Sequence, residues 1–262
     1  MVGWLLFAAI LMLLLFALFP GLRRGFREER EEQIARQADS LKKQMDRVFV
    51  GAHEYRDVKL EEFARLDRGW YEAVGRELAT EGFTHVGDVV DLTVARAFPN
   101  LESVSRGFVA ADGRVRASAT QVRPTGFARL MQLVGVVPRR LRIVELCSEL
   151  PDGPMLVTAN SEGIDHLSLP EQIATERLPQ KTPPLELLRR HLGRVAELGD
   201  EARLVLFRDC HDSLQSAQRA NVLLAIHRDG VGALTREELE STVGRRLTKA
   251  EERLIEKLQK PG

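Results

Sequence analysis

The sequence predicts a chain in three parts: a single N-terminal transmembrane helix, an α+β body on an antiparallel sheet covered by helices, and a C-terminal helical region. Three observations carry this reading. Residues 1–20 bear no charged side chain. The hydrophobic period changes from helical to alternating after Glu81-Gly82. Two hairpin signals, Asp112-Gly113 and Pro151-Asp152-Gly153, sit between runs of strand formers. The expected divisions are 1–22 for the anchor, 23–66 for a juxtamembrane helical stalk, 67–180 for the α+β domain and 181–262 for the helical region.

Met1 to Pro20 is a run of Leu, Phe, Ala, Ile, Val and Met. As a helix it reaches about 30 Å, the thickness of a bilayer's hydrocarbon core. A cleaved signal peptide would place basic residues ahead of the run and a small-residue cleavage site after it. Here the basic residues Arg23, Arg24, Arg27 and Arg30 follow the run, which ends at Phe19-Pro20-Gly21-Leu22. Orientation follows the Lys/Arg bias. The expectation is a single-pass membrane protein with its N-terminus outside and its body in the cytoplasm.

The 38 basic and 38 acidic residues cancel, which disfavours nucleic acid as a partner. Cys147 and Cys210 are the two cysteines. They stand far apart with no CxxC or Cys/His cluster, which fits a reducing compartment and excludes structural zinc.

In the stalk, Ile34, Ala38, Leu41, Met45 and Val48 recur at alternating four and three residues, the spacing of a coiled-coil seam. Two readings stand open: a parallel homodimer joined through Ile34, Leu41, Met45 and Val48, or one amphipathic helix folded back on the body. A second helix is expected from Val58 to Thr80, ended by Gly82 as a C′ residue. A strand should then carry Val90, Leu92 and Val94. The hairpins follow, Val104–Ala110 with Arg114–Val122 and Leu141–Leu150 with Met155–Ala159, and a short strand over Ile173–Leu178. That makes four to six strands.

Between the hairpins lies an apolar stretch with Phe127, Leu130, Met131 and Val134, rimmed by Arg123, Arg129, Arg139, Arg140 and Arg142. The plain reading is a crossover helix on the sheet that ends before Pro138. The arginine rim suggests a second reading, an interaction surface of Arg123, Phe127, Arg129, Leu130, Met131, Arg139 and Arg140 for anionic lipid or an acidic protein.

Downstream, Thr182 can cap a helix with Pro183 at its first position. A helix is expected from Asp200 to Arg228, and capping boxes at Thr235/Glu238 and Thr248/Glu251 start two more. Chemistry-bearing residues are sparse. Cys210-His211-Asp212 point apart on a helix. His85 with Asp88 and Asn160 with Asp165 and His166 read as loop and turn groups. Glu145, Cys147 and Glu149 share a strand face that reads as solvated. No cofactor, metal or catalytic motif stands out. The expected function is a membrane-tethered interaction or scaffold module that binds a protein partner or the membrane surface. The alternative is an envelope-associated hydrolase whose polar groups converge only in the fold.

Overall fold

The computed structural model describes residues 43–125, 141–163, 166–199, 203–232, 235–243, 246 and 252. A seven-stranded sheet forms its centre, with the strands side by side in chain order. They are β1 (Tyr55–Asp57), β2 (Thr84–Asp91), β3 (Leu101–Val109), β4 (Arg116–Pro124), β5 (Leu141–Glu149), β6 (Met155–Ala159) and β7 (Ile173–Arg177). Every neighbouring pair is antiparallel except β6 and β7, which run parallel. The α+β class stands, with a mixed sheet of seven strands in place of a purely antiparallel one of four to six.

Helices α1 (Arg68–Thr80) and α3 (Pro184–Ala196) cover one face of the sheet. Tyr71, Val74 and Leu78 of α1 and Leu187 and Leu188 of α3 form one core with Val104, Phe108, Ala117, Ala119, Val144 and Leu146. Registers Phe108↔Ala117↔Leu146 and Arg106↔Ala119↔Val144 put these strand residues on the same side. α1 stops as expected: Gly82 takes φ +78°, Gly82 N–H reaches Ala79 O, and Phe83 N–H reaches Leu78 O at 3.2 Å. That is a Schellman motif, which needs the glycine.

Several elements start or stop elsewhere than the sequence suggests, and side-chain caps explain most of the shifts. The helix expected from Val58 begins at Arg68, because Asp67 Oδ1 accepts Trp70 N–H at 3.2 Å. Leu60–Glu62 is only a 3₁₀ turn. The strand expected to include Leu92 and Val94 ends at Asp91, whose Oδ1 accepts Val94 N–H at 3.0 Å and starts α2 (Leu92–Ala97). α3 has Pro183 as its cap residue and Pro184 as its first, one position later than read. α4 spans Cys210–Val231, opened by the Asp209 carboxylate on Asp212 N–H. It therefore starts ten residues later than expected; 203–208 is extended instead. The Thr235/Glu238 capping box does open α5 (Arg236–Val243), with Thr235 N–H on Glu238 Oε2 at 2.7 Å and Glu238 N–H on Thr235 Oγ1 at 3.3 Å.

The end of the stretch read as stalk belongs to the body. β1 is an edge strand paired with β2, and Leu60 and Leu66 lie in the core. Met45 and Val48 are buried within the single chain. Ile34 and Leu41 lie outside the described residues, as does the apolar run 1–20. Among the described residues no helix is long and apolar enough to cross a membrane. The Thr248/Glu251 pair is likewise outside the described residues.

Candidate functional site

The other face of the sheet is polar and covered. Antiparallel register brings Tyr55 opposite Asp91, Val89 opposite Ser105, Ser105 opposite Thr120, Ser118 opposite Glu145, and Arg116 opposite Cys147. Directly paired residues share a face, so these side chains form one layer across five strands. Asp91, Ser105, Arg116, Ser118, Thr120, Glu145, Cys147 and Glu149 are all buried. The expectation that Glu145, Cys147 and Glu149 line a solvated face is overturned, because all three are buried, Glu149 beneath Arg219 of the helix α4.

α4 is held down by polar contacts along its length. Ser216 Oγ accepts from Arg116 Nε at 3.2 Å. Arg219 grips both oxygens of Glu149, at 2.5 and 2.9 Å. Asn221 Nδ2 donates to Tyr55 Oη at 2.9 Å, and Gln218 Oε1 accepts His53 N–H at 2.8 Å. Ahead of α4, the extended segment 203–208 is tied to the sheet by Val205 N–H on Glu149 O and Phe207 N–H on Gly113 O, both 2.8 Å.

Next to this layer, His53 Nδ1 lies 2.6 Å from Asp91 Oδ2 and Nε2 lies 2.8 Å from Val48 O. The ring thus bridges the Asp91 carboxylate and the Val48 carbonyl. The His53–Asp91 pair is almost wholly buried. It joins residues 48–53 to the start of α2. Burial, then the nearby Asp91 carboxylate, push the Tyr55 phenol well above its ordinary value. Burial also pushes the Cys147 thiol up, which removes it as a nucleophile.

The groups singled out in the sequence meet other neighbours. Asp88 Oδ1 accepts from Arg106 Nε at 2.7 Å and lies 3.1 Å from His85 Nε2, while Oδ2 accepts from Arg106 Nη2 at 2.8 Å. Burial works to raise the Asp88 carboxyl, but the bonds from Arg106 and His85 outweigh it and hold it at about 2. This is a partly buried ion pair, with Tyr71 beneath the guanidinium at 5.8 Å. His166 Nδ1 lies 2.8 Å from Ser241 Oγ, tying the loop after β6 to α5. Among the described residues the two histidines share no partner, and Asp165 is outside them. Asn160 is structural: Oδ1 accepts Val144 N–H and Nδ2 donates to Gln180 O. Cys210 is half-buried at the first turn of α4, and its thiol too is raised by burial.

A serine–histidine contact at the core also resolves as structure. His191 of α3 lies 3.0 Å from Ser148 Oγ through Nε2 and 3.1 Å from Thr158 Oγ1 through Nδ1. Ser148 gives its own proton to Arg114 O at 2.9 Å, so it accepts from His191 Nε2–H. Thr158 then donates to Nδ1 while accepting from Arg194 at 2.9 Å. Every donor has an acceptor, and the histidine is neutral. It cannot take a proton from Ser148.

Of the arginine-rimmed surface, Arg123 and Arg142 are described. Arg123 donates to Arg65 O, and Arg142 pairs with Asp67 and lies over the Trp70 ring at 5.5 Å. Both brace the start of α1. Phe127, Arg129, Leu130, Met131, Arg139 and Arg140 lie outside the described residues. The residues that sequence reading missed are Arg116, Ser118 and Thr120. Their signal was the alternation Arg-Ala-Ser-Ala-Thr at 116–120, which specifies two faces of a strand without saying that the polar one is covered. Among the described residues no three His, Cys, Asp or Glu side chains gather as a metal ion would require.

No protein-family model matches the chain, and neither curated proteins nor solved structures provide a match.

Proposed function

We infer that the protein is a membrane-tethered interaction module that lays one side of its body on the bilayer beside its anchor. The observation that carries this reading is an apolar strip on the outer side of α4. Val222 and Ile226, one helical turn apart, are exposed, Ile226 to 67%. Val50 is exposed too, and its neighbour Gly51 lies against Val222, whose Cγ2 would stand 3.3 Å from an added Cβ. The uncharged run ending at Pro20, with arginines at 23, 24, 27 and 30, precedes this end of the body in the sequence. Exposed apolar side chains rimmed by polar ones mark contact surfaces. A tether raises the local concentration of membrane enough for a small apolar strip to dock.

The test uses the full chain in vesicles that contain brominated lipid, in a Trp4→Phe, Trp70→Phe background, so that an introduced tryptophan is the one that fluoresces. Ile226→Trp fluorescence should be quenched. Leu206→Trp, at a site 58% exposed and ahead of α4, should not. Equal, weak quenching at both sites would exclude bilayer contact. Co-purification of a protein that shields position 226 would make the strip a protein interface instead.

A further inference from the structure

α4 turns much of its polar side inward. Its buried positions include Ser216, Asn221 and Arg228, while the apolar Val222 and Ile226 are exposed. The helices on the other face do the reverse. α1 and α3 build the hydrophobic core with the sheet, and that core takes in no residue of α4. The two modes of docking respond differently to separation. Hydrogen bonds to a departing helix are replaced by bonds to water, whereas separated apolar surface is left exposed to it. Elements docked with few buried apolar contacts are those that open while the rest of a fold stays intact.

The contacts of α4 fall into two groups. Towards the sheet, Ser216 meets Arg116 and Arg219 meets Glu149. The Arg219 side chain is 44% exposed, so water already competes for it. The second group fastens α4 to the segment that leads into β1. The Gln218 carboxamide makes a reciprocal pair with the His53 backbone: Oε1 accepts His53 N–H at 2.8 Å, and Nε2 donates to His53 O. Gly51 lies against Val222, and the Arg228 guanidinium lies 5.4 Å from the Phe49 ring centroid. That segment is seated in turn by the buried Met45 and Val48 and by the His53–Asp91 pair. We propose that α4 is a displaceable cover over the polar layer, held shut by segment 45–53, which acts as its bolt through Gln218. Lifting the cover bares Cys147, which is 1% exposed and shares its face of β5 with Glu149.

The device rests on the sheet, α4 and segment 45–53, and it stands whether or not the outer strip meets a bilayer. The test uses Cys147 as a reporter in the full chain, in mild detergent, with Cys210→Ser so that one thiol remains. Its modification by a water-soluble maleimide is followed across urea concentrations below the melting transition. Lifting α4 alone exposes far less surface than global unfolding, so the rate should vary only weakly with urea. Gln218→Glu keeps the acceptor for His53 N–H and loses the donor to His53 O. Loss of one hydrogen bond should raise the rate at least about fivefold. Gln218→Met, uncharged and of similar length, removes both bonds and should raise it further. The urea dependence of the parent chain needs neither variant to fold. A rate that follows urea as steeply as global unfolding does would overturn the cover. An unchanged rate in both Gln218 variants would overturn the bolt.

Discussion

The backbone N–H of Phe207 donates to Gly113 O at 2.8 Å, and a Cβ built on Gly113 would stand 2.8 Å from Phe207 O. The hairpin tip between β3 and β4 and the segment leading into α4 thus touch backbone to backbone. Gly113 also holds φ +71°. Both facts demand glycine: the left-handed conformation costs a side-chain-bearing residue roughly 1–2 kcal/mol, and the clash adds to it because a carbonyl in a bonded strap cannot simply move aside.

Gly113→Ala should therefore destabilise the fold by more than about 2 kcal/mol. Gly153→Ala, at φ +98° with nothing within 4 Å, should show only the conformational part. Gly193→Ala, in α3 and also in open space, should stabilise by roughly 0.5–1 kcal/mol through helix propensity. Denaturant melts of the three variants check this ordering. Equal losses at Gly113 and Gly153 would mean that the Phe207 contact carries no weight.

A second lock joins α4 to α5. Arg228 Nη2 and Nη1 reach the two oxygens of Glu238 at 2.6 and 3.0 Å, with side-chain exposures of 2% and 3%. Burial alone would raise the Glu238 carboxyl, yet Arg228 and the Thr235 and Ser168 N–H groups hold it below its ordinary value. Removing one partner strands the other charge. Glu238→Gln should cost about 3–5 kcal/mol in the docking of α5. Hydrogen exchange should show amides of 236–243 losing protection while those of β3–β5 keep theirs. The pair Arg228→Met with Glu238→Leu should recover the part of the loss due to the stranded charge but not the part due to the Ser168 and Thr235 N–H groups that Glu238 accepts from.

Local signals were readable where the residues that decide a feature are close in sequence. Gly82 after α1 and the Thr235/Glu238 box each act within four residues. Both hairpins formed where Asp112-Gly113 and Pro151-Asp152-Gly153 place them. Asp67, Asp91 and Asp209, which no pattern in the sequence singles out, set the starts of α1, α2 and α4 as caps. A carboxylate in a polar neighbourhood does not announce that it will turn back onto its own backbone. The polar layer was harder. Ser216 meets Arg116 from 100 residues away, and nothing local to 116–120 or 145–149 says that a distant helix will cover that side. Alternation reports two faces; burial of the polar one is a tertiary fact.

The stability of the core should depend on pH through His191. Burial, then the charges of Arg194 and Arg116, lower its pKa from 6.5 to about 3. The folded protein therefore keeps this ring neutral while the unfolded chain protonates it below pH 6.5. The unfolded state binds more protons in that range, so stability is complete above pH 6.5 and declines as pH falls towards 3. The slope contributed by one such group approaches about 1.4 kcal/mol per pH unit. Asp88, held at about 2, adds its own loss only once the pH drops below the ordinary carboxylate value near 3.8. The two windows overlap only between about pH 3.8 and 3. His191→Gln should flatten the profile between pH 6.5 and 4.5 while lowering stability at pH 7.5, since an amide cannot reproduce both bonds to Ser148 and Thr158. Denaturant melts at pH 7.5, 6.0 and 4.5 read both effects. A variant whose slope matches the parent's over that interval would show that another group governs the acid response.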